Sequence, residues 1–561
     1  MRRLVGLLSL LLPLGAIAQP EIVPAEHAVY DWMADLRVAG TLPEYRHETI
    51  PVDRAAVRRH LDSLAVRADW LPASGRFWLA EYRREFFEPL DGVHSYVGDG
   101  EARWQDASAE RTLGYFRDDN WRVSIWGEGA IEHRGVGDAR TPGRVGFAPL
   151  VRTGTGRSRS ARLTFEASYR NRVGLYTSTL SGTITNGARD VLAADPALAS
   201  IYYVTRDPSN IPGDFDRTSA SLRVVGGPFS AEIANERLRY GASVDASLVL
   251  GDHADYLPFV RLGLRTRSVT VEAVHAALSS PSQFVIDETD GGDLFLDSPE
   301  RYLTVHRLEV QPTGWWTWAY TGMVVYGRRG PEIAYLNPLF PVKAAEHALY
   351  DRDNTLFSLE TTVRPARGVE ANATWLVDDL ATATLGDGDY GNKWAIQAGL
   401  KATLPRTGAT LFGEYTRIEP YTYSHRFRED GVYFNGYTHN GLGLGHPLGP
   451  NADQWLAGVS VWLPFRARAR LSGRYVRKGE NPIDPSTGVV TQVGGDERYG
   501  EAPEDGQKTF LSGDLYRGAG LRGLVEVEPA RGVALRLYAD RQWWQGRAAE
   551  TFLRVGLSVR P

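Results

Sequence analysis

The feature that most constrains this chain is a period of two. It runs from about residue 111 to the C-terminus without any apolar stretch long enough to form a membrane helix. In Trp121–Glu128, Trp121, Val123 and Ile125 share one face, while Arg122, Ser124 and Glu128 share the other. In Arg162–Arg170, Leu163, Phe165, Ala167 and Tyr169 oppose Arg162, Glu166 and Arg170. Near the end, Val525, Val527, Val533, Leu535 and Leu537 oppose Glu526, Glu528, Arg536 and Asp540, and Leu553–Val559 alternates to the close. Such alternation specifies strands with one apolar and one polar face. A soluble sandwich also alternates, but its polar face meets bulk water. Here both signs of charge share that face with Gly and Ser, the composition of a wet, ion-paired lumen.

Backbone groups in lipid must be satisfied internally, so a chain without membrane helices crosses a bilayer only as a closed barrel. Residues 1–18 read as a secretory signal: Arg2 and Arg3, an apolar run from Leu4 to Leu14, then Ala16-Ile-Ala18, with cleavage expected after Ala18. Cysteine is absent, which excludes disulfides and thiolate metal sites. The net charge of −5 gives no reason to expect nucleic acid as a partner.

Turn chemistry supports the barrel independently. Val363-Arg-Pro-Ala-Arg-Gly-Val369 and Val527-Glu-Pro-Ala-Arg-Gly-Val533 are near copies, and Val310-Gln-Pro-Thr-Gly314, Leu404-Pro-Arg-Thr-Gly408 and Leu463-Pro-Phe-Arg466 are looser versions. Proline presets the first turn dihedral and glycine takes the position needing positive φ, so these are tight hairpins at one rim. Between them run long polar stretches, Ser279–Glu300, Arg417–Asp453 and Arg477–Gln507, expected at the opposite, outer rim. The expected fold is mainly β: a transmembrane antiparallel β-barrel of roughly 16–18 strands with a small N-terminal helical bundle. No fixed repeat period marks a propeller or β-helix.

From Glu26 to Leu90 the period is helical. Val29, Met33 and Leu36 recur at i, i+4 and i+7, and Gly40 and Pro43 stop that helix. Asp53 is placed to cap a second helix bearing Val57, Leu61 and Leu64. Ser74 is placed to cap a third bearing Trp78, Leu79, Tyr82 and Phe86, closed by Pro89. A core of this size is marginal alone, so docking on the barrel is expected. The expected organisation is therefore residues 1–18 as signal, 19–95 as a helical periplasmic segment and 96–561 as the barrel.

The residues offer little catalytic chemistry. No nucleophile elbow, P-loop, dinucleotide fingerprint or zincin motif occurs in an acceptable context. Gly441-Leu-Gly-Leu-Gly-His446 lacks the fingerprint spacing. Asp378-Asp379 reads as a strand end at the water boundary rather than an acid–base pair. His27, His347 and His439 have no second histidine at ligand spacing, so neither a metal nor another cofactor is expected. The stretch Glu419–His446 is richer: aromatic faces stack on the apolar sides of sugars, while Arg and His bond hydroxyl or acid groups. The candidate sugar-binding residues are Tyr421, Tyr423, Arg428, Tyr433 and His439.

Val29-Tyr-Asp-Trp-Met-Ala-Asp-Leu-Arg-Val-Ala-Gly40, followed by Ile50-Pro-Val-Asp-Arg-Ala-Ala-Val57, resembles the helical opening of Wzi-type capsule-assembly proteins. Tyr326-Gly-Arg-Arg, Tyr335-Leu-Asn-Pro338, Asp353-Asn354 and Val377-Asp-Asp379 resemble the middle of that family, and Gly445-His-Pro-Leu-Gly-Pro-Asn-Ala-Asp453 its last third. The resemblance implies an outer-membrane barrel of about eighteen strands with a helical bundle at its periplasmic end. It also implies a non-enzymatic role, binding capsular or exopolysaccharide and holding it at the cell surface. The expected partners are thus surface polysaccharide and outer-membrane lipid. A porin-like channel for small solutes is the alternative, and an outer-membrane hydrolase with Ser/His sets on facing strands is a third reading.

Overall fold

The computed structural model describes residues 19–86, 92–95, 113–139, 151–186, 195, 214–279, 284–286, 293–295, 300–338, 340–384, 386–404, 407–426, 428–429, 432–484, 486–530 and 532–560. Residues 1–18, read above as a signal, and Pro89 lie outside the described residues. Among the described residues no helix is long and apolar enough to cross a membrane.

The alternating segments form eighteen antiparallel strands, each hydrogen-bonded to the next. They are β1 Trp121–Ala139, β2 Val151–Tyr169, β3 Val173–Asn186, β4 Asp214–Gly226, β5 Phe229–Glu236, β6 Leu257–Arg265, β7 Val269–Leu278, β8 Arg301–Thr313 and β9 Trp316–Gly327. The second half comprises β10 Asn354–Ala366, β11 Val369–Asp379, β12 Lys393–Leu404, β13 Ala409–Ile418, β14 Ala452–Leu463, β15 Ala467–Glu480, β16 Asp514–Ala530, β17 Val533–Trp544 and β18 Glu550–Val559. β18 closes the barrel on the far half of β1, Val559 pairing with Gly129 and Thr551 with Gly137. The near half of β1 carries a short accessory hairpin, Gly92–Ser95 with Gly114–Arg117.

The faces fall as the alternation requires. Trp121, Leu163, Val525, Leu535, Leu537 and Leu557 are exposed on the outer wall. Arg122 and Glu166 instead meet inside it at 3.2 Å, as do Arg307 and Glu360 at 2.7 Å. The short turns, including Ala366–Val369, Leu404–Ala409, Leu463–Ala467 and Ala530–Val533, gather at one end. In an outer-membrane barrel that end is periplasmic.

Three helices close it: α1 Val29–Val38, α2 Arg54–Ala65 and α3 Ala73–Phe86. The Asp53 carboxylate caps α2, accepting from the Ala56 N–H at 2.7 Å. Ser74, expected as a cap, falls inside α3, which starts at Ala73. Val29, Met33, Leu36, Val57, Leu61, Leu79 and Phe86 pack into one core, to which the barrel contributes Trp462. Several docking contacts reach the short turns. The Gly368 N–H donates to Val38 O at 2.8 Å, the Trp78 indole to Leu463 O at 2.9 Å, and Arg367 stacks over Trp70. Gly40, at φ +74°, ends α1 where the Arg367 side chain crosses 3.1 Å from the position of an added Cβ, so both backbone and space favour glycine.

Beyond α1 the chain rises into the lumen. Arg37 binds Glu48 through two hydrogen bonds, of 2.8 and 2.6 Å, and its Nε lies 2.8 Å from Glu370 on the barrel wall. Thr49 and Ile50 then pair with Tyr240 and Arg239. Those partners begin residues 237–256, the connection between β5 and β6, which folds inward rather than out. Leu248, Val249 and Leu250 of this segment are fully buried against Leu303, Met323, Leu356 and Leu376 of the wall. On this side the lumen is a packed core.

Candidate functional site

The stretch the sequence marks, Glu419–His446, closes the outer end of that core. Tyr421 and Tyr423 retain only 1% and 2% of their surface. The Tyr423 hydroxyl donates to Leu248 O at 2.7 Å, and Tyr437, stacked on Tyr423, donates to Val249 O at 2.7 Å. Tyr421 reaches Gln492 O at 3.1 Å and packs edge-on against Tyr390. His439 Nδ1 accepts from the Ser279 N–H at 3.0 Å, so Nε2 carries the proton and donates to Tyr256 O at 3.1 Å. Burial pushes this imidazole down to about 4 against the pull of Asp255, so it is neutral. Tyr423, Tyr437 and His439 latch the inward segment in place, and Tyr421 is buried beside them, so these rings do not form the exposed sugar platform expected of a loop tip. Arg428 and Tyr433 pair through their backbones, and their side chains lie outside the described residues. Asp378 is also occupied structurally, accepting from the Tyr423 N–H at 2.6 Å, while Asp379 lies 3.5 Å from Lys393.

The opposite wall, formed by β14 to β18 and β1, is different. Its inward positions are mostly polar or ring-bearing, with Leu456 and Val476 among the exceptions, and solvent still reaches several of them. Arg474 and Arg522 both grip Asp540, at 2.7 and 3.0 Å. Asp245, from the inward segment, bridges Arg470 at 3.4 Å and Arg522 at 3.3 Å. Burial raises the Asp245 pKa, but Arg522 and Arg470 outweigh it and hold the carboxyl below its ordinary range. Arg474 Nε donates to Gln542 Oε1 at 2.8 Å. An added Cβ at Gly520 would collide with Gln542 and crowd Arg474, so glycine there keeps this side-chain layer flat against the wall. Below Asp245 a cavity of about 70 Å³ opens between α1 and the wall, bordered by Asp35, Lys401, Phe412, Trp462, Arg468 and Arg470.

Toward the outer rim the same column of inward positions carries rings. Trp544 and Tyr516 pack edge-on with centroids 6.2 Å apart, and the Arg547 guanidinium lies 3.6 Å over the Tyr516 ring. Two donors in this column are buried without a hydrogen-bond partner, Trp544 Nε1 and Gln542 Nε2, and Gln542 is only 4% exposed. Buried donors are normally satisfied, so such a pair marks a place where an acceptor belongs. From Trp544 to Asp540 the strand advances about 13 Å at ~3.3 Å per residue, the length of a short oligosaccharide. Rings for stacking, unspent donors and forked guanidinium groups along one extended track suit a hydroxylated or carboxylated sugar chain.

Of the residues nominated from the sequence, Tyr421, Tyr423 and His439 lie away from this track. The available signal was Arg541-Gln-Trp-Trp-Gln-Gly-Arg547: within a period-two strand, adjacent tryptophans must point to opposite faces. Trp543 is indeed exposed on the outer wall and Trp544 turns inward.

A closed eighteen-stranded barrel with one end covered by helices and half its lumen packed defines the class: an outer-membrane β-barrel with an occluded interior. The model of the family described as capsule assembly protein Wzi matches residues 152–529, and the chain belongs to that family. Among solved structures it is similar to an outer-membrane protein of Escherichia coli, Wzi, described as a carbohydrate-binding β-barrel involved in group 1 capsule assembly. The TM-score is 0.58 at 11% identity, covering 96% of this chain and 99% of that one. OprD of Pseudomonas aeruginosa gives a TM-score of 0.40 at 11% identity over 77% of this chain and 94% of its own. OccAB1 of Acinetobacter baumannii gives 0.42 at 10% identity over 78% and 96%; both likenesses are too slight to bear on function. Curated protein sequences contain no significant match.

Proposed function

We propose that this outer-membrane protein binds a surface polysaccharide along the Trp544–Tyr516–Gln542–Arg474 track and so helps assemble or anchor it at the cell surface, without catalysis. The observation that carries the reading is the pair of buried, unpartnered donors beside the edge-on Tyr516–Trp544 ring pair on a solvent-reached wall. An acidic or neutral sugar chain supplies the missing acceptors, and Arg547 and Arg474 orient it. A retaining role also suits a barrel whose periplasmic end is closed by α1 to α3, since a chain held from outside has no need of a through-path. The Asp378–Asp379 pair is engaged in fold contacts, which supports the non-catalytic reading.

Polysaccharide retention tests this. A deletion strain should shed surface polysaccharide into the medium, and the wild-type gene should restore retention. Unchanged retention in the deletion strain would remove the assembly role. The porin-like alternative predicts steady unitary conductance in planar bilayers, where the occluded barrel should give none.

A further inference from the structure

The connection between β9 and β10, residues 328–353, neither projects outward nor enters the lumen. It folds back over the outside of the barrel. Two short helices, α4 Ile333–Leu336 and α5 Val342–Ala348, press Tyr335, Val342 and Ala345 onto Val324 and Tyr326 of β9. Val324 and Tyr326 share the outward face of β9 with Trp316, Trp318 and Tyr320, yet both are 0% exposed. The segment also covers the neighbouring wall, where Thr304 and His306 point outward from β8 and are buried. A ring cluster joins the two layers: His275 stacks on Tyr302, and Tyr302–Tyr326 and Tyr326–Tyr335 pack as tilted pairs. The Tyr335 hydroxyl donates to Asp353 at 2.6 Å, and Arg329 salt-bridges the same carboxylate.

At the α4 end the other face of this flap is apolar and open, while Lys343 and His347 of α5 are exposed beyond it. Ile333 is 80% exposed, and Leu336 and Phe340 are exposed beside it. Their height on the barrel identifies what they meet. Strands tilted by about 40° climb ~2.5 Å per residue along the barrel axis, which places Val324 about 20 Å and Tyr326 about 25 Å above the periplasmic-side Trp316. The apolar belt of such barrels is about 25 Å tall, so the flap reaches from the upper part of the belt to its outer boundary. Irregular backbone is excluded from the hydrocarbon itself but is accommodated at the headgroup level, where water remains. The open face of the flap is continuous with the lipid-facing wall below it.

From this placement we infer that residues 328–353 form a lipid-docking flap. Ile333, Leu336 and Phe340 insert at the acyl–headgroup boundary of the outer leaflet, while the opposite face shields polar groups of the barrel wall from lipid. The occupant is the membrane itself, and the inference is independent of polysaccharide binding.

The cysteine-free sequence allows a direct test. Spin labels are placed at Ile333→Cys and Leu336→Cys, with Val489→Cys on an exposed outer connection as the aqueous control. Each full-length variant is reconstituted in vesicles of phosphatidylethanolamine and phosphatidylglycerol, and normal heat-modifiable migration confirms insertion. Collision with oxygen, which partitions into lipid, should exceed collision with a water-soluble nickel chelate at Ile333 and Leu336, and the order should reverse at Val489. Nickel access at Ile333 and Leu336 equal to that at Val489 would overturn the inference. Shielding from both reagents would overturn it too, because a protein partner such as a second copy would then cover the flap.

Discussion

Replacing Arg37 with methionine should loosen the helical closure by far more than loss of a surface charge. Arg37 is fully buried, and its partners Glu48 and Glu370 have side chains no more than 2% exposed. The substitution keeps most of the side-chain volume but leaves two carboxylates without their shared cation. Breaking a buried pair in this way costs about 3–5 kcal/mol, because the stranded charge keeps its desolvation cost. At ~1.4 kcal/mol per decade, the undocked population of α1 should rise by about two to three and a half decades. Hydrogen exchange of the Val29–Val38 amides in the detergent-solubilised barrel measures that population directly. The effect also has a pH signature. Burial works against the wild-type Glu48 carboxylate, but Arg37 overcomes it and holds its pKa well below the usual range. Its contribution is therefore complete above the free carboxylate value of about 4.3 and is lost as pH falls through the lower, docked value. Without Arg37 the burial of Glu48 loses its main counterweight, and protonation relieves the variant as pH falls. The deficit should thus be larger at neutral pH than in acid, after correction for intrinsic exchange. Exchange at wild-type rates at neutral pH would refute the claim that Arg37 fastens the helices to the wall.

Other substitutions probe the rest of the account. Leu535→Arg places a charge on the outer wall and should cost about 2–4 kcal/mol if it lies near the bilayer midplane, whereas Arg536→Ala disturbs only a lumenal pairing; urea-dependent folding into vesicles separates them. Tyr423→Phe should lose about 1 kcal/mol with the Leu248 hydrogen bond, and Tyr423→Ala about 3–5 kcal/mol by emptying its place in the core. Thermal unfolding in detergent reads both, and a harmless Tyr423→Ala would contradict the latch. In intact cells a cysteine at Val489 should react with an impermeant maleimide and one at Arg367 should not; the reverse pattern would invert the barrel.

Local periodicity carried the architecture, and long-range placement did not. Leu535 and Arg536 declare opposite faces within two residues, because a strand's side chains alternate whatever it pairs with. Val363-Arg-Pro-Ala-Arg-Gly-Val369 declares its hairpin through backbone dihedrals alone. The family of the chain was likewise legible in short runs within the matched residues, such as Tyr335–Pro338 and Gly445–Asp453. The fate of the long connections was not. Tyr423 in sequence looks like a sugar platform, and only the path of residues 237–256 turns it into a latch. That path is set by contacts such as Tyr423 with Leu248, 175 residues apart. The break in alternation at Leu248-Val249-Leu250 was the one local sign that this connection is buried. Residues 328–353 hid their role similarly, since an exposed Ile333 acquires meaning only when its height on the barrel is known.

The central claim, that the ring-lined wall holds a polysaccharide, is tested most directly by titrating the purified barrel with the native surface polysaccharide. Trp544→Ala combined with Tyr516→Ala removes both rings without touching the Tyr423 latch or the helical closure. Each stacked ring contributes on the order of 1 kcal/mol, so the double variant should bind about one to one and a half decades more weakly while migrating normally on heat-modifiable gels. Wild-type affinity in that correctly folded variant would contradict the assignment of the wall as the binding site.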